Sequence, residues 1–364
     1  MPPPLWPPDN RQLQSRASDT ETGATGSSRL GRTTAAGAVV AITIAVVLIV
    51  ALNGGRSTSG APNSSGPRSS AVSAAHPRPT TSFAVGLRVL RFTDTSRLVR
   101  LPDGPTEPRS LLTYVRYPAR GNPHVTDRSN APAAIGRFPL VVFGHGFGVT
   151  PDLYKRVLQA WARAGYVVAA PVFPLENANA PGGPNESDLI NQPADMRFVL
   201  SRMLAVNAAP AGPLRGLVDP TLIAVSGQSD GGDTALALAY DRRLRDPRVG
   251  AAIILSGAEL PGLGGFDFPA GTPPLLATQG TADTVNLPSQ TREFFNSARS
   301  PKYLLSLSGA EHLPPYSDQQ PQLGIVQRVT IAFLDAYLKH RARALKRLSS
   351  VGDVPAVASL LADP

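Results

Sequence analysis

Residues 222–240 read LIAVSGQSDGGDTALALAY. The opening LIAVS is a short apolar run of the kind carried by a strand buried on both faces, and GGDTALALAY has the Ala and Leu content of a helix. Between them, Gly227-Gln228-Ser229-Asp230-Gly231 fits G-x-S-x-G. A strand that stops at this pentapeptide and a helix that starts inside it require a sharp turn. Such a turn lifts the Ser229 hydroxyl above the strand end, and it needs Gly at 227 and 231 so that neighbouring backbone can pass.

Outward from this turn the rhythm is strand, helix, strand. Residues 85–93 and 110–117 read as a strand pair joined by LPDGPTEPR, while 139–144 (PLVVFG) and 166–170 read as buried strands. A helix over 151–163 lies between the last two, with Leu153, Val157, Leu158 and Trp161 on one stripe. Helices follow over 192–206 and 231–243, and strands over 222–226, 249–257, 273–280 and 302–309. A helix over 287–298 and one long final helix over 323–348 complete the pattern. This alternation predicts an α/β domain with a mostly parallel central sheet, helices on both faces and no large cap domain. The longest loops on the Ser229 side, 174–193 and 259–274, are rich in Gly, Pro and Asn and are expected to shape a pocket.

A Ser hydroxyl is a weak nucleophile until a base takes its proton, and the base must be held by an acid. The chain offers His76, His124, His145, His312 and His340. His312 lies in SGAEHLPP, directly after the strand over 302–309, where a base would rest over Ser229. Asp283, in GTADTV after the preceding strand, is the matching acid; Asp267 and Asp246 are weaker alternatives because neither directly follows that strand. A tetrahedral intermediate also needs two donors at its oxyanion. The N–H of Asp230 is one, and the N–H of Phe147, in the loop Gly144-His145-Gly146-Phe147-Gly148, is the other. His145 is expected to shape that loop by hydrogen bonding.

Composition narrows the remaining classes. The 364 residues contain no Cys, which excludes disulfide scaffolds, thiolate metal sites and a Cys nucleophile. No pair of His is spaced like metal ligands, which disfavours a metal enzyme, and PGLGGF at 261–266 lacks the strand-turn-helix setting of a nucleotide fingerprint and reads as a loop. The formal charge of +9 raises nucleic acid as a partner, but its distribution argues against one. The first 82 residues hold seven basic and three acidic side chains, and Lys339, Arg341, Arg343, Lys346 and Arg347 cluster near the other end.

The N-terminal stretch organises as three segments. Residues 1–34 are polar, without apolar period, and are expected to be disordered. Residues 35–52, AAGAVVAITIAVVLIVAL, carry no charge and are expected to form one transmembrane helix. A cleaved signal peptide and a buried core helix are the alternatives, the first of which would give a secreted protein. Arg16, Arg29 and Arg32 precede this run and Arg56 and Arg68 follow it, a bias that places the N-terminus in the cytoplasm and the folded domain outside. Residues 53–82 read as a flexible tether, 83–348 as the catalytic domain and 349–364 as a C-terminal tail; the sequence leaves the oligomeric state open.

FGHGFG at 143–148, LYKRVLQAWARAGYVVAAPVFPL at 153–175, SGQSDGG at 226–232, GTADTV at 280–285 and GAEHLP at 309–314 together resemble the α/β-hydrolase superfamily. Within it they are similar to the chlorophyllase-like, platelet-activating-factor acetylhydrolase-like and dienelactone-hydrolase-like branches. The resemblance covers about 85–348, and the order Ser229, Asp283, His312 matches the superfamily's triad order. It implies a serine hydrolase of carboxylic esters acting through an acyl-enzyme on a small-molecule or lipid-like ester, without cofactor, with Phe147 and Asp230 as oxyanion donors. An acyltransferase with the same triad, or a non-catalytic binding domain, remains as the alternative. One departure is Gln228, where relatives often carry His, followed by the acidic Asp230. If that carboxyl points into the pocket it repels anionic substrates; otherwise it faces solvent or caps a local N–H.

Overall fold

The computed structural model describes residues 82–102, 104–260, 262–263 and 267–364. The segments 1–34 and 35–52 and nearly all of the tether lie outside them. Among the described residues no helix is long and apolar enough to cross a membrane.

The described chain opens in a long antiparallel hairpin, β1 (Ala84–Arg100) against β2 (Thr106–Ala119), with the short β3 (Arg128–Ser129) on its outer edge. β4 (Phe138–Gly144), α1 (Lys155–Arg163), β5 (Val167–Pro171), α2 (Gln192–Ala208), β6 (Val218–Gln228) and α3 (Asp230–Tyr240) follow. Then come β7 (Ala251–Leu255), β8 (Leu275–Gly280), α4 (Pro288–Ser297), β9 (Lys302–Leu307), α5 (Pro314–Ser317), α6 (Gln322–Tyr337), α7 (Ala342–Gly352) and β10 (Ala358–Asp363). One sheet holds all the strands in the order β10-β9-β8-β7-β6-β4-β5-β2-β1-β3. β4 to β9 run parallel, while β2 joins β5 and β10 joins β9 antiparallel.

The apolar runs are continuous because both faces of the central strands are covered. Leu140 and Val142 of β4 pack with Met196, Leu236 and Phe294, whereas Val141 and Phe143 pack with Trp161, Val329 and Phe333. Successive side chains of a strand point to opposite faces, so α2, α3 and α4 cover one face and α1, α6 and α7 the other. β4 lies between β5 and β6, so the chain leaves it in one direction and returns past it in the other. Loops leaving the carboxyl ends at such a reversal diverge and leave a crevice. Register places Gly144 opposite Gly227, and the loop after β4 therefore opens beside Ser229.

Three elements differ from the sequence reading. The helix expected over 151–163 begins as a 3-10 turn, Pro151–Tyr154, and becomes α-helical only at Lys155. The single helix expected over 323–348 is broken between α6 and α7, where His340 takes a left-handed φ of 51° and Arg341 N–H returns to Asp335 O at 3.0 Å. Burial drives this break: Ala344 and Leu348 of α7 fold back into the core, which a straight helix would carry past it. Residues 349–364, read as a tail, hold the end of α7 and the edge strand β10, anchored where Asp353 Oδ1 accepts the Leu360 N–H at 2.8 Å.

Arg109 of β2 ties the hairpin to the crevice. Its guanidinium is buried and donates to both oxygens of Asp195 on α2, 2.7 Å each, and to both of Asp188 in the 174–193 loop. Arg109→Met leaves Asp188 without its guanidinium and Asp195 with Arg97 alone. Urea unfolding should show a loss of about 3–5 kcal/mol, and a loss below about 1 kcal/mol would contradict this role.

Candidate active site

Ser229 sits between the last residue of β6 and the first of α3 with φ 54° and ψ −128°, a left-handed backbone that a residue with a Cβ rarely adopts. Packing enforces it. A methyl group on Gly227 would overlap the Gly231 carbonyl, and one on Gly231 would overlap the Gly144 carbonyl. The turn is pinned at both ends, by Ser229 N–H to Leu255 O at 3.0 Å and by Asp233 N–H to Ser229 O at 2.9 Å.

His312 and Asp283 come together as expected. His312 Nδ1–H donates to Asp283 Oδ2 at 2.8 Å, which leaves Nε2 as the acceptor. Asp283 is buried and also accepts from Val285 N–H, Asn286 N–H and Gln279 Nε2. Burial alone would raise its carboxyl, but the bonds from His312, Val285 and Gln279 outweigh it and hold the group below its ordinary value. Ser229 Oγ has no hydrogen bond among the described residues. His312 Nε2 instead meets Gln228 Nε2 at 3.2 Å, and the same amide donates to His312 O at 3.2 Å.

The loop after β4 is shaped by His145, which is fully buried. Phe173 N–H donates to its Nε2 at 3.0 Å and its Nδ1–H donates to Gly146 O at 2.8 Å, a neutral tautomer with both nitrogens used. Burial pushes its pKa down to about 4, in keeping with a shaping role and not with a base. Gly146 lies against Ser229 Cβ. The N–H groups of Phe147 and Asp230 carry no hydrogen-bond partner among the described residues and remain available as donors.

Four side chains that the sequence reading gave no role complete the site. Gln228 Oε1 accepts the Tyr154 hydroxyl proton at 2.6 Å, and that hydroxyl accepts Gly146 N–H at 3.2 Å, so Gln228 links the His312 loop to the glycine loop. Gln279 is fixed by Thr291 Oγ1 at 2.6 Å and aims its amide at Asp283. Glu176, wholly buried, accepts Gln192 Nε2 on one oxygen, while its backbone carbonyl accepts Gly148 N–H at 2.9 Å. Its other oxygen and Asp230 Oδ2 have no partner of their own, and the two carboxyl groups are in hydrogen-bonding contact. A proton on Glu176 gives both oxygens a partner; burial first, then Asp230, pushes its pKa up to about 11. Asp230 therefore caps no local N–H, and its Oδ2 is turned to Glu176. The sequence signal for Gln228 was its place inside the turn motif; Glu176 had none beyond its loop.

The weaker acid candidates lie elsewhere, Asp267 paired with Arg242 at 2.5 Å and Asp246 with Arg248 at 2.5 Å. His124 is in an exposed loop and His340 marks the α6–α7 break. Among the described residues no group of three or more His, Asp or Glu side chains is placed to hold a metal ion. A cavity of about 280 Å³ opens between Leu189 and Ile190 of the 174–193 loop and Leu260 and Leu263 of the 259–274 loop.

A family model described as Chlorophyllase matches residues 123–255, from ahead of β4 through β7, which includes the Ser229 turn and the glycine loop and stops before Asp283 and His312. Among solved structures, a ferulic acid esterase from Streptomyces cinnamoneus aligns with a TM-score of 0.55 and 22% identity, covering 78% of this chain and 96% of that one. The described domain shares the α/β-hydrolase fold of that esterase, and the family match covers its central part. No curated protein matches the chain. In all, 1088 solved chains match this one, so likeness of fold alone does not select a substrate.

Stability should report the state of Glu176. The fold keeps this acid neutral up to about 11 while the unfolded chain ionises it near its ordinary 4.5, so unfolding releases a proton and stability falls as pH rises through that window. Glu176→Gln keeps the shape and both hydrogen bonds but has nothing to ionise. Its melting temperature should gain on that of the natural protein between about pH 5 and about pH 9, and a pH-independent difference would contradict the neutral acid.

Proposed function

We propose that the protein is a serine hydrolase of carboxylic esters with Ser229 as nucleophile, His312 as general base and Asp283 as the acid that orients it. The observation that carries this reading is the Asp283–His312 pair, whose Nε2 accepts from the amide of Gln228, the neighbour of a serine held at φ 54°. The chlorophyllase-family match and the ferulic acid esterase fold support ester chemistry.

In the proposed reaction a substrate entering the crevice displaces the Gln228 amide from His312 Nε2, which then accepts the Ser229 Oγ proton as Oγ attacks the ester carbonyl. The oxyanion takes hydrogen bonds from the N–H groups of Phe147 and Asp230, each such donor being worth about 10²–10³ in rate. His312 returns the proton to the departing alkoxide, and the alcohol leaves. Water then attacks the acyl-enzyme by the same path, with Asp283 stabilising the imidazolium in both halves.

The uncharged run 35–52 supports placing this hydrolase in a membrane, and the excess of Arg16, Arg29 and Arg32 over Arg56 and Arg68 supports a cytoplasmic N-terminus with the domain outside. The expressed full chain should stay with membranes through an alkaline carbonate wash. Release into the wash, or recovery of a soluble form beginning after residue 52, would contradict the anchor.

On p-nitrophenyl esters of graded acyl length, Ser229→Ala and His312→Ala should each lower kcat by on the order of 10⁶, and Asp283→Asn by about 10⁴. Rates equal to those of the natural chain would overturn the assignment.

A further inference from the structure

A cavity of about 790 Å³ lies at the end of the sheet away from Ser229. Phe138 and Leu222, near the starts of β4 and β6, are among its lining, and six strand residues at about 3.3 Å each put it roughly 20 Å from the catalytic end. Its floor is apolar, with Phe83, Phe138, Ile331 and Leu338. Its rim is basic: Arg137, Arg163, Arg328, Lys339, Arg341 and Arg347 face Asp335 alone. With His340 neutral the lining carries +5, the same as the net charge of the whole chain beyond residue 82.

The existing pairs do not consume this charge. Asp335 accepts from Lys339 at 3.0 Å, Arg341 at 3.0 Å and the Tyr166 hydroxyl at 2.6 Å, so one carboxylate serves two cations. Arg137, Arg328 and Arg347 have no ion-pair partner among the described residues. Lys339 donates to Ala164 O at 2.7 Å and sits 3.7 Å from the Tyr166 ring centroid, which holds the rim in shape. Arg343, one helical turn before Arg347, extends the basic face along α7. Positive charge converging on a concave, apolar-walled site concentrates anions there.

The described chain enters the domain at this cavity: Ser82 and Phe83 line it, and thirty residues before Ser82 the uncharged run 35–52 ends. We propose that the cavity is a docking site for the phosphate headgroup of an anionic membrane lipid, with guanidinium groups on the phosphate and the glycerol end of the lipid against Phe83 and Phe138. The reading rests on the membrane placement proposed above. It turns the basic face toward the anionic surface and leaves the Ser229 end directed at the aqueous side, from which the ester arrives.

The test is calorimetric titration of the full-length chain in neutral detergent with three probes: dihexanoyl phosphatidylglycerol, dihexanoyl phosphatidylcholine and inorganic phosphate. The expected result is saturable binding of the anionic lipid, at least tenfold tighter than either other probe and weakened at least tenfold in Arg328→Glu/Arg347→Glu. Equal affinity for the two lipids, or for the natural chain and the double variant, overturns the proposal. Binding of inorganic phosphate as tight as that of the anionic lipid also overturns it, in favour of a small-anion site. Both substitutions are on exposed positions, and an unchanged melting temperature verifies the fold. Because the readout is binding, loss of ester hydrolysis in Ser229→Ala leaves it untouched, and the carbonate wash tests the anchor separately.

Discussion

Three backbones meet within contact distance at Gly227, Gly231 and Gly144, and most of the catalytic end follows from that contact. Because no Cβ fits between them, β6 can end directly under the loop from β4, and α3 can begin before the strand direction is lost. Ser229 is forced into a left-handed φ by this geometry, and its strain is offset by the bonds to Leu255 and from Asp233. The same contact brings Gly146 against Ser229 Cβ, so the oxyanion loop and the nucleophile are positioned by one packing event.

Around that turn the polar side chains form two linked sets. Gln228 joins the glycine loop, through Tyr154, to the loop that carries His312, so one buried amide keeps the two sides of the crevice in register. On the other side, Glu176 joins the glycine loop to α3 through its carbonyl to Gly148, through its carboxyl to Asp230, and through Gln192 to Thr234. A buried carboxyl beside another carboxyl is tolerated only when one of them keeps its proton, which is why a neutral acid sits next to the nucleophile. Arg109 then holds the loop that carries Glu176 and Asp188 to the hairpin, and the fold's most buried cation thereby supports the catalytic edge from behind.

What the sequence made legible was the chemistry placed at strand ends. Gly227, Ser229 and Gly231 announce the turn because sterics allow few residues there, and Asp283 and His312 follow apolar runs whose lengths define strands. The Gln228–Tyr154 bond spans 74 residues, and Glu176 reaches Asp230 from a loop with no periodic pattern, so only the folded sheet brings these pairs together. The α6–α7 break was hidden because LKHRARALKRL contains neither Gly nor Pro and carries good helix formers, while the cause of the break, burial of Ala344 and Leu348, is tertiary. β10 was hidden for a similar reason: ASLLAD is short, and its place is set by the exposed edge of β9.

The central claim is that Ser229 is a covalent nucleophile activated by its surroundings. Intact-protein mass spectrometry after treatment with an alkyl fluorophosphonate tests it most directly, since attack by Ser229 Oγ on phosphorus expels fluoride and leaves a stable phosphonyl ester. The account predicts one adduct per chain, mapped to the peptide containing Ser229, absent in His312→Ala and in Ser229→Ala. No adduct on the natural chain, or an adduct that persists in Ser229→Ala, would contradict it.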